Sequence, residues 1–187
     1  MAVERKGFKG VEILAVRVVP TPWGWAALAA GDKGIIRCSW PWPDALMAES
    51  AFGAAAKGTG DIRAQEFLEQ AAGWLLAFFA GKFPETTDLP IDDRIFSEWQ
   101  RKVYDVVKRI PFGEVRSYGW VARECGVAGA ARAVGQALAK NPLPIFIPCH
   151  RVVCSDGRVG DYSCEGSVPS GEELKRQLIA WEQSVRG

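Results

Sequence analysis

The sequence predicts a mixed α/β (α+β) protein, with a small antiparallel sheet and helices first and a helix-rich half second. Short β-rich runs separated by turn residues occupy roughly the first 40 positions, whereas apolar residues recur at helical spacing after residue 97. Between them, Lys82–Asp93 holds prolines and acidic residues without periodicity. We therefore predict two domains, residues 1–88 and 89–187.

Three strands are predicted near the N-terminus. Val11–Val19 is apolar and β-branched, and Pro20–Gly24 interrupts it. Trp25–Ala30 and Ile35–Trp40 follow, separated by the turn-forming residues Gly31–Gly34. Runs this close together form an antiparallel meander.

Helices are predicted over Asp44–Ala56, Ile62–Ala80 and Ser97–Arg109. Two shorter ones follow, from the N-cap Ser117 to about Cys125 and over Ala130–Lys140, with a Gly-containing turn between them. A pair of short helices joined in this way has the outline of a helix-turn-helix. Ordinary packing of two helices, with Arg132 exposed on a small-residue surface, is the alternative.

The charge is unevenly distributed, although the whole chain carries only +1. Between Arg101 and Arg151, nine Lys and Arg residues face three acidic ones, a difference of 9 − 3 = +6. Such a stretch is either a solvated basic face or a surface that binds the phosphates of a nucleic acid.

The composition indicates where the protein is located and whether it binds a metal or another cofactor. Met1–Gly10 lacks the apolar core of a signal peptide, and no apolar run reaches the roughly 18–20 residues that span a bilayer, so a cytoplasmic protein without membrane association is expected. The five cysteines are irregularly spaced and the chain has one histidine. Neither a classical zinc site nor a disulfide scaffold fits this pattern, and no metal or cofactor is predicted.

The candidate chemistry lies in an extended, proline-bracketed segment, Asn141–Pro148, that leads to Cys149 and His150. A thiol becomes a nucleophile when a base takes its proton, and an imidazole held by a carboxylate is the usual base. The carboxylate could come from Glu172, Glu173 or Glu182. The alternative is an inert buried cysteine beside a histidine that completes a hydrogen bond.

The run Ile147–Val153 resembles the active-site signature of the O6-alkylguanine-DNA alkyltransferases, also called methylated-DNA–protein-cysteine methyltransferases. The resemblance is dense from about Phe96 to Ser163 and resumes over Leu178–Glu182. Further matching stretches, in the family's order, are Phe112–Val115, Ser117-Tyr118, Ala131–Gly135, Asn141-Pro142, Gly160 and Tyr162-Ser163. The N-terminal half resembles the family's ribonuclease-H-like domain in its pattern of elements alone.

This resemblance implies direct reversal of DNA damage. The protein would flip O6-alkylguanine out of double-stranded DNA and transfer the alkyl group irreversibly to Cys149, once per molecule, as a monomer. His150 would relay the thiol proton through a water, Glu182 would orient the imidazole, and Tyr118 would donate a hydrogen bond to a ring nitrogen of the departing guanine.

The resemblance also assigns residues to the DNA and to the base. Arg132 would take the place of the flipped nucleotide, on a DNA-contacting surface with Ser117, Ala131, Ala133 and Gly135. The residues expected around the base are Leu138, Asn141, Pro144, Val152, Tyr162 and Ser163. The backbone of Ser163 would bind O6, and Asn141 would brace the turn before the active-site segment.

Two other functions share parts of this pattern. Alkyltransferase-like proteins bind alkylated DNA without the reactive cysteine, and Cys149 argues against that class. A helix-turn-helix transcription factor reads bases with Asn, Gln and Arg, which the Ala-rich second helix largely lacks. The segment 164–173 departs from the family, because it is longer than the usual loop and has Cys164 where glycine is common.

Overall fold

The computed structural model describes residues 10–53, 60–82, 89–160, 162 and 171–186. They belong to two compact units, the first within the N-terminal 95 residues and the second beginning at Phe96. The first unit contains a small antiparallel sheet and helices, and the second is mainly helical, so the mixed α/β class is confirmed. The domain boundary between residues 88 and 89 stays a prediction.

The sheet of the first unit contains β1 (Ala15–Thr21), β2 (Gly24–Ala30) and β3 (Ile35–Trp42), antiparallel and in that order. The predicted ends of β1 and β3 were wrong, because both strands continue through prolines, Pro20 and Pro41. Both are edge strands, and one side of an edge strand has no neighbouring strand to pair with. A proline whose missing N–H would point to that side costs the sheet no hydrogen bond.

Two helices accompany this sheet. Helix α1 (Ala45–Ser50) begins at the N-cap Asp44 and is shorter than predicted, with residues 54–56 of the prediction outside the described part of the chain. Helix α2 (Ile62–Phe79) begins at Asp61, whose carboxylate accepts the Ala64 N–H at 2.8 Å, and packs on β1 and β2.

The second unit begins with α3 (Glu98–Lys108), which starts with a capping box between Ser97 and Gln100. The other elements of this unit are β4 (Arg116–Ser117), α4 (Tyr118–Glu124), α5 (Ala131–Ala139), β5 (Val152–Val153) and α6 (Gly171–Arg186). Strands β4 and β5 pair in parallel, so the segment after the 3₁₀ turn Cys149–Arg151 runs beside the start of α4.

Helix α5 is held against α3 by hydrogen bonds to two of its carbonyl groups. Tyr104 Oη donates to the carbonyl of Ala137 at 2.8 Å, and Trp99 Nε1 donates to the carbonyl of Ala133 at 3.2 Å. Burial raises the pKa of Tyr104, so this phenol stays a donor. None of the described helices is long and apolar enough to cross a bilayer.

Candidate active site

Cys149 opens a single 3₁₀ turn that the surrounding backbone holds in place. The N–H of Cys149 donates to the carbonyl of Ile147 at 2.7 Å, and the N–H of Arg151 donates to that of Pro148 at 3.0 Å. The pairing of Val152 with Arg116 ends the turn. The thiol is therefore presented from a fixed backbone, with 5% of the residue exposed.

The side-chain amide of Asn141 lies beneath the sulfur. Its Nδ2 donates to Cys149 Sγ at 3.0 Å and to the carbonyl of Ile147 at 2.9 Å, while its Oδ1 accepts the Leu143 N–H at 3.0 Å. Burial raises the pKa of Cys149, and the hydrogen bond from Asn141 and the charge of Lys175 oppose that rise. The resting group is thus a thiol, which must lose its proton to become a nucleophile.

A base of the right type follows directly in the chain. His150 Nε2 lies 2.7 Å from Glu182 Oε1, and both residues are buried. The same carboxylate accepts from Arg151 Nε at 2.9 and 3.1 Å, from Arg151 Nη2 at 2.9 Å and from the Gly113 N–H at 2.9 Å. Arg151 Nη1 donates to the carbonyl of Ile110 at 2.8 Å, which completes the anchoring of its guanidinium.

The electrostatics of this cluster leave the imidazole neutral. Burial alone would raise the pKa of Glu182, but the interactions with His150 and then with Arg151 lower it to about 2. Burial lowers the pKa of His150, and this outweighs the charge of Glu182. We assign the ring proton to Nε2, since a carboxylate accepts there. The lone pair is then on Nδ1, which is buried and has no hydrogen-bond partner among the described residues.

A cavity of about 590 Å³ opens beside the sulfur. Seven of the predicted site residues line it: Tyr118, Ala131, Arg132, Gly135, Leu138, Cys149 and Tyr162. The cavity therefore connects the nucleophile with the first turns of α4 and α5.

Other predicted residues lie elsewhere. Ser117 is the N-cap of α4, with its Oγ accepting the Trp120 N–H at 3.1 Å, and Val152 is fully buried in β5. Pro144 is also buried, Asn141 lies behind the sulfur, and the backbone carbonyl of Ala133 accepts a hydrogen bond from Trp99. Ser163 lies outside the described residues.

Among the three carboxylates considered from the sequence, Glu182 reaches His150. Glu172 and Glu173 are exposed on the first turn of α6 and bind Arg176 and Gln177 of the same helix. They were candidates because sequence distance does not reveal which turn of a helix faces the site.

Among the residues of the site that sequence reasoning missed are Arg151, Lys175 and Cys154. Arg151 was counted as part of the basic stretch, yet it is buried against Glu182. Lys175 and Cys154 both line the cavity. A signal for Lys175 was present, because it precedes Glu182 by seven residues, or two helical turns, and so shares its helix face.

Known proteins resemble this chain in sequence and in fold. The sequence profile of the 6-O-methylguanine DNA methyltransferase DNA binding domain matches residues 98–184. A methylated-DNA–protein-cysteine methyltransferase of Methanosarcina barkeri is 33% identical, over 89% of this chain and 96% of that protein. One from Mycolicibacterium paratuberculosis is 43% identical, over 57% of this chain; this alignment spans 60% of the relative's length.

Solved structures agree over most of the chain. The crystal structure of Mycobacterium tuberculosis OGT in complex with DNA superposes with a TM-score of 0.70 at 32% identity, covering 91% of this chain and 94% of that one. The crystal structure of the M. tuberculosis O6-methylguanine methyltransferase superposes with a TM-score of 0.68 at 31% identity. The likeness therefore extends over both units.

Proposed function

The chain belongs to the family of methylated-DNA–protein-cysteine methyltransferases, and we propose that it repairs DNA by moving an alkyl group from O6 of guanine to Cys149. The observation that carries this proposal is that Cys149 lines an open cavity and is followed in the chain by a buried base, His150, that Glu182 holds. The product is a thioether, so each molecule acts once.

The transfer is a displacement at the carbon attached to O6. His150 takes the thiol proton at Nδ1 through a water, and Glu182 stabilises the imidazolium that forms. The Cys149 Sγ–carbon bond forms as the carbon–O6 bond breaks, and the electron pair leaves with the guanine. Tyr118, which lines the cavity, donates a hydrogen bond to the base as its negative charge develops.

The target base must leave the duplex, because a thiolate cannot approach O6 in line inside the stack. We propose that α4 and α5 form a helix-turn-helix and that α5 enters the minor groove. Its small residues, Ala131, Ala133 and Gly135, suit a narrow groove, and Arg132 fills the space of the flipped nucleotide. Ser117 contributes from the start of α4.

Several finer properties are proposed with this function. The first unit is a ribonuclease-H-like domain, and the protein acts as a cytoplasmic monomer on double-stranded DNA. Apart from the water that relays the proton, the transfer uses groups of the chain and of the DNA. Light scattering of the protein with and without a short duplex tests whether the protein is a monomer, because a dimer would double the protein mass in the complex.

The direct test incubates the protein with a duplex that contains O6-methylguanine and measures its intact mass. We expect one added methyl group, found on the peptide with Cys149, and a plateau at about one equivalent per protein. Cys149→Ser should bind the duplex and accept nothing, whereas Cys154→Ser, which removes the other cavity thiol, should still accept the methyl group.

Two outcomes contradict the proposal. Binding to the damaged duplex without any mass change identifies a non-enzymatic damage-binding protein. Preference for one undamaged sequence over random DNA identifies a transcription factor.

A further inference from the structure

Tyr104 is a buried tyrosine that the proposed chemistry does not use. It lies on α3, and 1% of the residue is exposed. The ring of Phe96 packs against it edge-on, with 4.9 Å between the ring centroids. A buried phenol needs a hydrogen-bond partner, because an unpaired hydroxyl group is costly to remove from water. The hydrogen bonds of this hydroxyl group therefore indicate its role.

The hydroxyl group of Tyr104 binds the last turn of α5. Gln100 Nε2 donates to Tyr104 Oη at 3.3 Å, and Oη donates to the carbonyl of Ala137 at 2.8 Å. The last four carbonyl groups of an α-helix have no α-helical N–H partner. Ala137 carries one of them, since α5 ends at Ala139. Tyr104 therefore caps the C-terminal end of α5 from the neighbouring helix.

This hydrogen bond is made where the chain leaves the helix. In a continuing α-helix the N–H of Asn141 would donate to the carbonyl of Ala137, four residues earlier. It donates instead to the carbonyl of Leu138, at 3.1 Å. The Ala137 carbonyl accepts the Lys140 N–H at 3.2 Å and the Tyr104 hydroxyl in its place. The bond from Tyr104 thus favours the ending of α5 at this position.

The side chain of Asn141, which follows the C-cap of α5, contacts the nucleophile. Its amide donates to Cys149 Sγ at 3.0 Å and to the carbonyl of Ile147 at 2.9 Å. The bond to the sulfur lowers the pKa of Cys149 against the effect of burial. Four residues separate the Ala137 carbonyl from this amide, so a shift in the last turn of α5 moves the amide away from the sulfur.

The phenol also remains a donor during the reaction. The pKa of Tyr104 is raised first by burial and then by the negative charge of a Cys149 thiolate. Tyr104 therefore keeps its hydrogen, and its bond to Ala137, when the thiolate forms.

We propose that Tyr104 is a positioning residue for the transfer, which fixes the last turn of α5 through the Ala137 carbonyl and so holds the Asn141 amide against Cys149 Sγ. This inference rests on the proposed function. The same turn carries Leu138, which lines the cavity. A hydrogen bond from α3 thus positions both the donor to the sulfur and a part of the cavity wall.

The test compares Tyr104→Phe, which removes the hydroxyl group alone, with Trp99→Phe as the matched control. Trp99 binds the same helix from α3, but one turn earlier, at the carbonyl of Ala133. Iodoacetamide alkylates Cys149 without DNA, and the pH dependence of its rate gives the pKa of the thiol. We expect Tyr104→Phe to raise this pKa and to lower the rate at neutral pH about threefold to tenfold, whereas Trp99→Phe should change neither.

A double-mutant cycle shows whether Tyr104 acts through Asn141. In the Asn141→Ala background, Tyr104→Phe should have little further effect on the pKa of Cys149, since the amide that it positions is gone. Lys175 and Tyr162 also lower this pKa, and they are present in every variant. Single-turnover methyl transfer should fall with the alkylation rate, because both reactions need the thiolate. Tyr104→Met, which also lacks the hydroxyl group, replaces Tyr104→Phe if that variant does not fold.

An unchanged pKa of Cys149 in Tyr104→Phe overturns the inference. An equal change in Trp99→Phe also overturns it, because the fixing of α5 as a whole, and not of its last turn, is then responsible. So does an effect of Tyr104→Phe that persists in full without the Asn141 amide. A native protein that accepts no methyl group contradicts the proposed function instead, and the alkylation measurements, which use no DNA, distinguish the two failures.

Discussion

Arg151 supports the neutral form of His150, its neighbour in the chain, whose pKa is lowered first by burial. Because a guanidinium is always protonated, Glu182 has a permanent counter-charge and does not need a charged imidazole. His150 can then stay neutral, with its lone pair available on Nδ1. Burial, assisted by the Arg–Glu pair, thus keeps the histidine in the form that a base requires.

Replacing Arg151 with Met should therefore change both stability and the titration of His150. Breaking a buried pair destabilises by about 3–5 kcal/mol, which denaturant unfolding measures. The charge of Arg151 lowers the pKa of His150, so its removal raises that pKa, and the acidic limb of the transfer rate moves to higher pH. NMR can follow this without overlap, because the chain has one histidine.

The control is Arg158→Met, which breaks an exposed pair with Asp156 and should leave the free energy of unfolding nearly unchanged.

In the native protein, acid should destabilise the fold for two reasons. Glu182, with a pKa of about 2, contributes stability above its unfolded pKa that is lost as pH falls. His150, with a lowered pKa, resists protonation in the folded state, so stability also falls below its unfolded pKa. A pH-independent stability would contradict both assignments.

The amide of Asn141 gives a second prediction at this scale. Asn141→Ala removes the hydrogen bond to Cys149 Sγ, which favours the thiolate, so the pKa of Cys149 should rise further. The rate at which iodoacetamide alkylates Cys149 at neutral pH should fall about tenfold to a hundredfold, because a hydrogen bond to a charged group contributes about 1.5–3 kcal/mol. An unchanged rate would show that the amide serves the turn alone.

At the scale of elements, α5 combines a fixed backbone with one long exposed side chain. The carbonyls of Ala133 and Ala137 accept hydrogen bonds from Trp99 and Tyr104 of α3, whereas the side chain of Arg132 is exposed and lines the cavity. Because these hydrogen bonds use backbone carbonyls, they hold α5 in place without requiring large side chains on the helix. A surface of this kind can approach DNA closely while one long side chain reaches further.

Arg132→Ala should separate base flipping from chemistry. Methyl transfer from duplex DNA should slow by roughly tenfold or more, because flipping costs a few kcal/mol that the arginine offsets. Reaction with a free O6-alkylguanine base needs no flipping and should change little. Equal losses on the two substrates would assign Arg132 to the chemistry or to the fold.

For the whole molecule, the distribution of charge matters more than its sum. Six of the nine basic residues between Arg101 and Arg151 are exposed, and the remaining three are Lys108, Arg116 and Arg151. Each of these three pairs with an acidic side chain. The exposed six face solvent, where a phosphate can reach them.

DNA affinity should therefore fall with salt, and the slope should depend on the exposed basic residues of this stretch. Removing one phosphate contact, as in Arg123→Ala or Lys140→Ala, should reduce the slope of log K against log salt by about one. Arg63→Ala on α2 of the first unit is the matched control and should leave the slope unchanged. The measurement is a fluorescence titration at several salt concentrations, and equal slopes for all four proteins would exclude phosphate contacts by Arg123 and Lys140.

The sequence by itself determined the class of fold and the local elements. Periodicity and caps such as Ser117 act over a few residues, so they can be read without a structure. The Cys149-His150 pair was equally visible, because its members are adjacent. The strand ends were misjudged at Pro20 and Pro41, since only the position of a strand within its sheet decides whether a proline is tolerated.

Only the tertiary structure decided which distant groups meet. Glu182, rather than Glu172 or Glu173, lies within hydrogen-bond distance of His150. Arg151 is buried against that carboxylate and does not join the exposed basic residues. Lys175 donates to Tyr118. These contacts join residues 31 to 57 positions apart in the chain. The physical reason is that a side chain's pKa and hydrogen-bonding role depend on burial and on its neighbours in space, which packing sets and sequence spacing does not.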